Sequence, residues 1–455
     1  MGGDGLGVRL MAAVRAGDAD AVRALLDAGA DPDTEVDGLS GLCVAVAAYD
    51  EAVTEALVYG GADPDRVLPD GTTPLWRAVD GGSPVVLVDL LGTDARERLP
   101  QTARERLLAL ARDWYGTGAV EGLRRRTGAR GPAVTARVRE DAYDWVEEVS
   151  LGGRVVRAGH GAVLTWLEWA FHVLTPVDEL VARAVRQRDE DHVDWTTARW
   201  ILVQRRSDET WSAVVAHRHH PDPSHRRFVT DYLRMRSLVH SGHHGRRKRE
   251  GELLVAWATE ETDAETLAEI LGVLAEYEHP GQETVGLRHA AHPDPRVRRQ
   301  VPSLLFSDPL SDDAEGSPRS PAAKDALLAL LRDPDAEVRL SASSVAPGGG
   351  ELRAEATAAL LRLVESPVVS ARHGAVVTLA ASRDQAPAVA DALFTLLAED
   401  DQLVRLEAAW GLARRDDPRT EEAYERVGPL GPGFEHDHRV HALGEWRRRR
   451  DEAVG

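Results

Sequence analysis

The pentapeptide Gly29-Ala30-Asp31-Pro32-Asp33 returns as Gly61-Ala62-Asp63-Pro64-Asp65, 32 residues further on. Asp37-Gly38 returns as Asp70-Gly71 and Leu42 as Leu75, each after 33 residues, and the same step leads on to Leu108. A period of this length is the strongest constraint in the chain. One such unit cannot bury an apolar face alone, so neighbouring units must stack. The stretch AAVRAGDADAVRALLDAGA reads as a short helix, a Gly-Asp turn and a second helix ending at Gly29. Glycine there suits the left-handed residue that closes a helix. Asp-Pro then forces an extended exit.

The segment DGTTPLWRAV (Asp70–Val79) resembles the D-G-x-T-P-L-H-x-A signature of the ankyrin repeat family, with Trp76 where that family usually has His. DGLSGLCVAV is a more degenerate copy, and Leu107–Gly128 fits a degenerate or capping unit. The resemblance implies stacked helical hairpins over residues 6–128. It also implies that a partner touches loop tips and inner helices, which selects Asp33, Glu35, Asp65, Arg66, Leu68, Trp76 and Arg77. Thr34, Val36 and Val67 lie on the same tips. Cys43 sits in the apolar run LCVAVA and reads as a small core residue.

A second recurrence fills the other half. His220-Pro221-Asp222-Pro223 with Arg226-Arg227 returns as His292-Pro293-Asp294-Pro295 with Arg298-Arg299. Related turns end at Arg339, Arg372 and Arg405. A helix stops, Asp-Pro makes a tight turn, and Asp or Pro starts the next helix. The polar, proline-rich stretch SDPLSDDAEGSPRSP (Ser307–Pro321) reads as an insertion between helical units. This pattern is similar to the HEAT repeat family, in the short bacterial form also found in phycobilisome-lyase-like proteins. The resemblance covers residues 176–427. It implies structural roles for Asp335, Arg339, Arg372 and Arg405, joining one repeat to the next. It brings no bilin-handling motif with it.

Residues 129–175 fit neither repeat. VEEVSLGGRVVRAG places β-rich runs on either side of Gly152-Gly153, a two-residue hairpin signal. His160-Gly161 then opens the amphipathic helix AVLTWLEWAF, with His160 as its entry residue. The expected fold is all-α: two consecutive α-solenoids, ankyrin then HEAT, with a small β-hairpin junction at 129–175 and a tail at 428–455.

Composition narrows the function classes. Ala and Leu dominate the apolar residues, which favours helix. Asn is absent, and all but two of the 55 basic residues are Arg, the bias expected of a GC-rich bacterial genome. The single cysteine excludes an intrachain disulfide or a cysteine-based zinc site. Neither a signal-peptide core nor a membrane-length apolar run is present, so the expected location is cytoplasmic. The net charge of −20 disfavours non-specific nucleic-acid binding. Residues 96–250 are locally basic, however, with GHHGRRKRE at Gly242–Glu250 and the phosphate-binding candidates Arg246, Arg247, Lys248 and Arg249. Trp195, Arg199, Trp200, Trp211 and Arg218 could serve a nucleic-acid face, although the spacing of Trp195 and Trp211 suits packing between helices. His217, His219, His220, His225, His240, His243 and His244 form a tract that could hold zinc or nickel, and His436, His438 and His441 a smaller one.

No phosphate loop, nucleophile elbow or dinucleotide fingerprint occurs. The expectation is a non-catalytic scaffold or adaptor, without cofactor or metal, that binds a protein partner of unspecified identity. A HEAT-like nucleic-acid binder using the basic middle and a metal-dependent enzyme using the histidines are the alternatives.

Overall fold

The computed structural model describes residues 3–36, 38–239, 244–277, 279–307, 317–345, 350–382, 384–434 and 436–454. The chain is mostly helical, with 26 α-helices among the described residues. It divides into two compact units, Met1–Val239 and His240–Gly455.

The first unit begins with three helical pairs: Gly3–Ala16 with Ala19–Asp27, Gly41–Ala48 with Glu51–Tyr59, and Pro74–Gly81 with Pro84–Leu91. Four of these six helices start where the sequence supplies a side-chain cap. Asp18, Ser40, Asp50 and Thr73 accept the backbone N–H of Ala21, Cys43, Val53 and Trp76. Pro74 and Pro84 open their helices without a lost bond. Gly29 and Gly61 adopt φ of +89° and +95°, the left-handed exit their recurrence requires. First helices pack on first helices and second on second, so the pairs stack in register. Their apolar stripes, from Leu10 through Leu42, Leu57, Leu75 and Leu87 to Leu108, join one core. The helices Gln101–Thr117 and Ala119–Thr127 follow.

The hairpin expected around Gly152-Gly153 is present. Trp145–Leu151 pairs antiparallel with Arg154–Arg157 through Gly152 and Gly153, at φ of +61° and +77°. A third strand, Val134–Arg139, extends the sheet on the other edge of Trp145–Leu151. The helix His160–Ala170 then lies against the third ankyrin-like pair and against Gln101–Thr117. Gly82 makes the closest approach here. A side-chain carbon at that position would stand 2.0 Å from the Arg157 carbonyl oxygen. Helices Val177–Val185, Val193–Gln204, Asp208–Ala216 and Pro223–Val239 complete the unit.

The second unit is a double layer of helices from His244–Glu260 to His438–Val454. Helices Ala264–Ala275, Pro295–Leu305, Ala336–Ser344, Val369–Ala381, Gln402–Ala413 and His438–Val454 pack each on the next along one layer. Asp263, Asp294, Asp335 and Asp401 cap their helices. Most of the insertion expected at Ser307–Pro321 lies outside the described residues. Its described ends pair as Phe306–Ser307 with Ser317–Pro318.

The recurring arginines correct one expectation. Expected to join one repeat to the next, Arg339, Arg372 and Arg405 chiefly fold back on their own turns among the described residues, and Asp335 caps its own helix. Arg339 donates to the carbonyls of Asp333 and Pro334, Arg372 to that of Ser366, and Arg405 to those of Glu399 and Asp400. Arg298 and Arg226 do the same at their Asp-Pro turns. These carbonyls belong to the turn between two helices, so each guanidinium ties the first turn of its own helix to the bend before it and satisfies backbone acceptors there. Contacts beyond the turn are fewer. Arg298 holds Asp333 with two bonds of 2.8 and 2.9 Å, and Arg405 reaches the Arg426 carbonyl.

Candidate partner-binding cleft

The loop-tip residues selected from the sequence are largely occupied by one another. Asp33 accepts the backbone N–H of Asp63, one unit on, at 3.0 Å. Arg66 reaches back to the Asp33 carbonyl at 3.2 Å and pairs with Glu35 at 2.9 Å. The step repeats one unit later, where Arg98 stands 2.7 Å from Asp65. Asp33, Glu35 and Arg66 thus form one half-exposed cluster, with Asp65 in the next rung. Leu68 is only 4% exposed and contributes to the interior instead of the surface. Trp76 packs half-buried on the core, and Arg77 binds Thr72 and Asp70. Cys43 is buried, and burial pushes its thiol pKa up.

The other candidates sit apart. His217, His220 and His225 do come together: the rings of His220 and His225 stack at 3.6 Å, and His217 Nδ1 lies 3.2 Å from His225 Nδ1. No group of three or more potential ligands among the described residues is disposed to hold a metal. His240 and His243 lie outside the described residues, as do the side chains of His244 and Arg246. Arg247 donates to the Glu276 carbonyl and covers the Tyr277 ring, while Lys248 stands 4.0 Å from Glu252. Trp195 and Trp211 are buried between helices, as their spacing suggests.

The site that sequence spacing does not reveal is a cleft of about 660 Å³ in the first unit. The second helices of two ankyrin-like pairs supply Glu51 and Asp89. The turn between strands Val134–Arg139 and Trp145–Leu151 supplies Glu140, Asp141, Tyr143 and Asp144. Trp166, Thr196, Arg199 and Trp200 come from the helices beyond, and Asp191 from the turn before Val193–Gln204. Six carboxylates therefore surround one arginine, and Arg199 is already bound to Asp231 at 2.7 Å. Glu140 is held by Arg157 at 2.6 Å, by Ser83 and by the Val85 N–H. Asp144 accepts the Thr196 hydroxyl at 2.6 Å.

Asp89 differs from these. Its Oδ2 is buried without a hydrogen-bond donor among the described residues. Burial, reinforced by the charges of Glu51 and Glu55, pushes its pKa up to about 7 from 3.8. Between those values the folded chain holds the proton more tightly than the unfolded chain, so this group's contribution to stability falls as pH rises from about 4 to about 7. Asp89→Asn is accordingly expected to raise the thermal midpoint at neutral and higher pH. The gain should shrink through that window and vanish below it, as scanning calorimetry across the pH series will show.

A second, mostly apolar hollow of about 610 Å³ shares Val88 and Trp166 with the cleft. It is lined further by Leu91, Trp169, Val173 and Leu174. Trp169 is 38% and Leu174 82% exposed, an unusual amount of apolar surface for one place. No described helix is long and apolar enough to cross a membrane.

Comparison with known proteins bears on the helical pairs that build one wall of this cleft. Residues 10–96 match the family described as ankyrin repeats (3 copies). Among solved structures, the X-ray structure of the Escherichia coli protein YIBA aligns at 14% identity, covering 60% of this chain and 93% of that one with a TM-score of 0.42. None of the curated proteins matches the chain. The capped, register-stacked pairs and the family match together identify the N-terminal region as three ankyrin repeats.

Proposed function

We propose that this protein is a non-catalytic scaffold that binds a protein partner. In this reading the ankyrin stack of residues 6–128 is followed by a junction at 129–175, by HEAT repeats over 176–427 and by a tail at 428–455. Ankyrin repeats generally mediate protein–protein interaction. The helical double layer with Asp-capped, Arg-tied turns supports the HEAT assignment. The observation that carries the function is the open cleft beside the ankyrin stack, with the apolar hollow adjoining it. These present charge and apolar area side by side, as interface cores and rims do. The loop-tip residues Asp33, Glu35, Arg66, Trp76 and Arg77 are proposed as a flanking contact surface. The carboxylates around the cleft oppose a phosphate backbone there.

The test is affinity purification of the full-length chain from its source cells, followed by reconstitution with the purified partner. A stoichiometric complex that re-forms from the two pure proteins is the expected result. A measurable turnover by the chain alone, with no such complex, would overturn the proposal.

A further inference from the structure

The cleft has a marked chemical bias. Its carboxylates come from four separate segments, and its one arginine is already neutralised by Asp231. Such a site sets up a negative potential focused between low-dielectric walls. Asp89 stands in it without a donor. A carboxylate that no donor offsets adds to the negative potential that a cation entering the cleft meets. Three aromatic rings line the same space, with Trp200 37% and Tyr143 84% exposed beside Trp166. Indole and phenol faces attract cations, and a planar guanidinium stacks on them as well. Metal-ligand geometry is absent among the described residues. The hollow that shares Val88 and Trp166 then offers apolar surface to whatever adjoins the cation.

We propose that this cleft receives an arginine or lysine side chain from a segment of the partner protein whose neighbouring residues are apolar and fill the adjoining hollow. This deepens the scaffold reading and rests on it. The carboxylates orient the basic group, the aromatic rings cover it, and the hollow beside Trp169 and Leu174 sets the preference for apolar neighbours. An acidic segment is rejected by like charge, so the site discriminates by repulsion as well as attraction.

The test uses the full-length chain and two fluorescein-labelled synthetic peptides of equal length, one alternating Leu and Arg, the other Leu and Glu. Fluorescence anisotropy should show binding of the Leu-Arg peptide and none of the Leu-Glu peptide. The double variant Asp89→Asn/Asp144→Asn should weaken Leu-Arg binding by about tenfold, as the loss of charge-assisted bonds predicts. Trp200→Ala should weaken it by about threefold. Thermal midpoints of the variants, measured beside the anisotropy, separate lost binding from unfolding: the expected result is lost affinity in a chain that is still folded at the assay temperature. The control Glu399→Gln/Asp400→Asn removes the same charge far along the sequence and should leave affinity unchanged.

Equal binding of both peptides, full affinity in the double variant, or an equal loss in the control would overturn the cleft assignment. So would a dimer of the chain that the Leu-Arg peptide dissolves, seen by light scattering, since a second copy would then be the occupant. A reconstituted partner complex that is indifferent to Asp89→Asn/Asp144→Asn removes the cleft assignment and leaves the scaffold reading standing.

Discussion

Replacing Arg183 with alanine will destabilise the first unit by about 3–5 kcal/mol, the usual cost of breaking a buried ion pair from one side. Arg183 lies in the helix Val177–Val185 with its side chain 1% exposed. It donates to Thr165 at 2.8 Å, to Glu168 at 3.0 Å and to Glu179 at 2.8 Å. Glu168, itself 5% exposed, also takes bonds from Thr175 and Arg112. Without Arg183 a buried carboxylate keeps only those two, and a large volume empties between His160–Ala170 and its neighbours. The double variant Arg183→Met/Glu168→Gln removes both charges and retains most of the volume, so it should recover much of the loss. Urea unfolding monitored by circular dichroism and tryptophan fluorescence will separate the two. A loss below about 1 kcal/mol in the single variant would mean that the pair contributes little.

The second large effect is expected at Trp114. Its ring is fully buried between His160, stacked at 4.8 Å and 12°, and the Arg126 guanidinium, 3.8 Å from the ring centre. Its Nε1 donates to Asp80 at 2.8 Å. Trp114→Ala should cost about 3–5 kcal/mol through lost packing and a residual cavity. Asp80, 6% exposed, would keep Arg154 at 2.8 Å and the more distant Arg126 at 3.7 Å. Trp114→Phe preserves much of the packing without the donor and should cost less.

A pH signature accompanies this loss. Burial pushes the His160 pKa down to about 4 from 6.5. Between these values the unfolded chain binds the extra proton, so His160's contribution is complete above about 6.5 and is lost as pH falls toward about 4. Opening the site in Trp114→Ala admits water and should flatten that acid dependence. Denaturation midpoints of variant and parent across this range will show the difference narrowing at the acid end.

Several of these features could be read from the sequence, for identifiable reasons. The ankyrin pairs were legible because Gly29 and Gly61, Asp-Pro at 31–32 and 63–64, and Thr73-Pro74 each impose a local conformation. The turn at Gly152-Gly153 was legible for the same reason. The strand Val134–Arg139 was not: Val134, Ala136 and Val138 do alternate with Thr135, Arg137 and Arg139, but the run is short and nearly every residue of it is exposed, so no buried face marks it. Arg183 and Glu168 read as the charged faces of amphipathic helices, since partners brought together by the fold leave no mark on local spacing. The cleft eluded sequence reading on the same ground. Glu51, Asp89, Asp144 and Asp191 lie tens of residues apart, and each alone reads as an ordinary surface acid. Leu68 holds a tip position in the repeat, but its apolar side chain turns inward. Arg339, Arg372 and Arg405 were marked by recurrence, although their nearest acceptors are the carbonyls five and six residues before them.

That self-contained fastening has a consequence for how the C-terminal half can change over evolutionary time. Each hairpin whose turn is tied by Arg298, Arg339, Arg372 or Arg405 carries its own clasp, so duplicating, losing or lengthening one leaves the bends of its neighbours intact. The long addition after Phe306 sits where such tolerance predicts, between modules instead of inside one. Cohesion from module to module then falls to other groups, to greasy side chains meeting across the seams and to separate charge pairs such as Arg298 with Asp333 and Arg439 with Glu407, which can be exchanged without undoing a clasp.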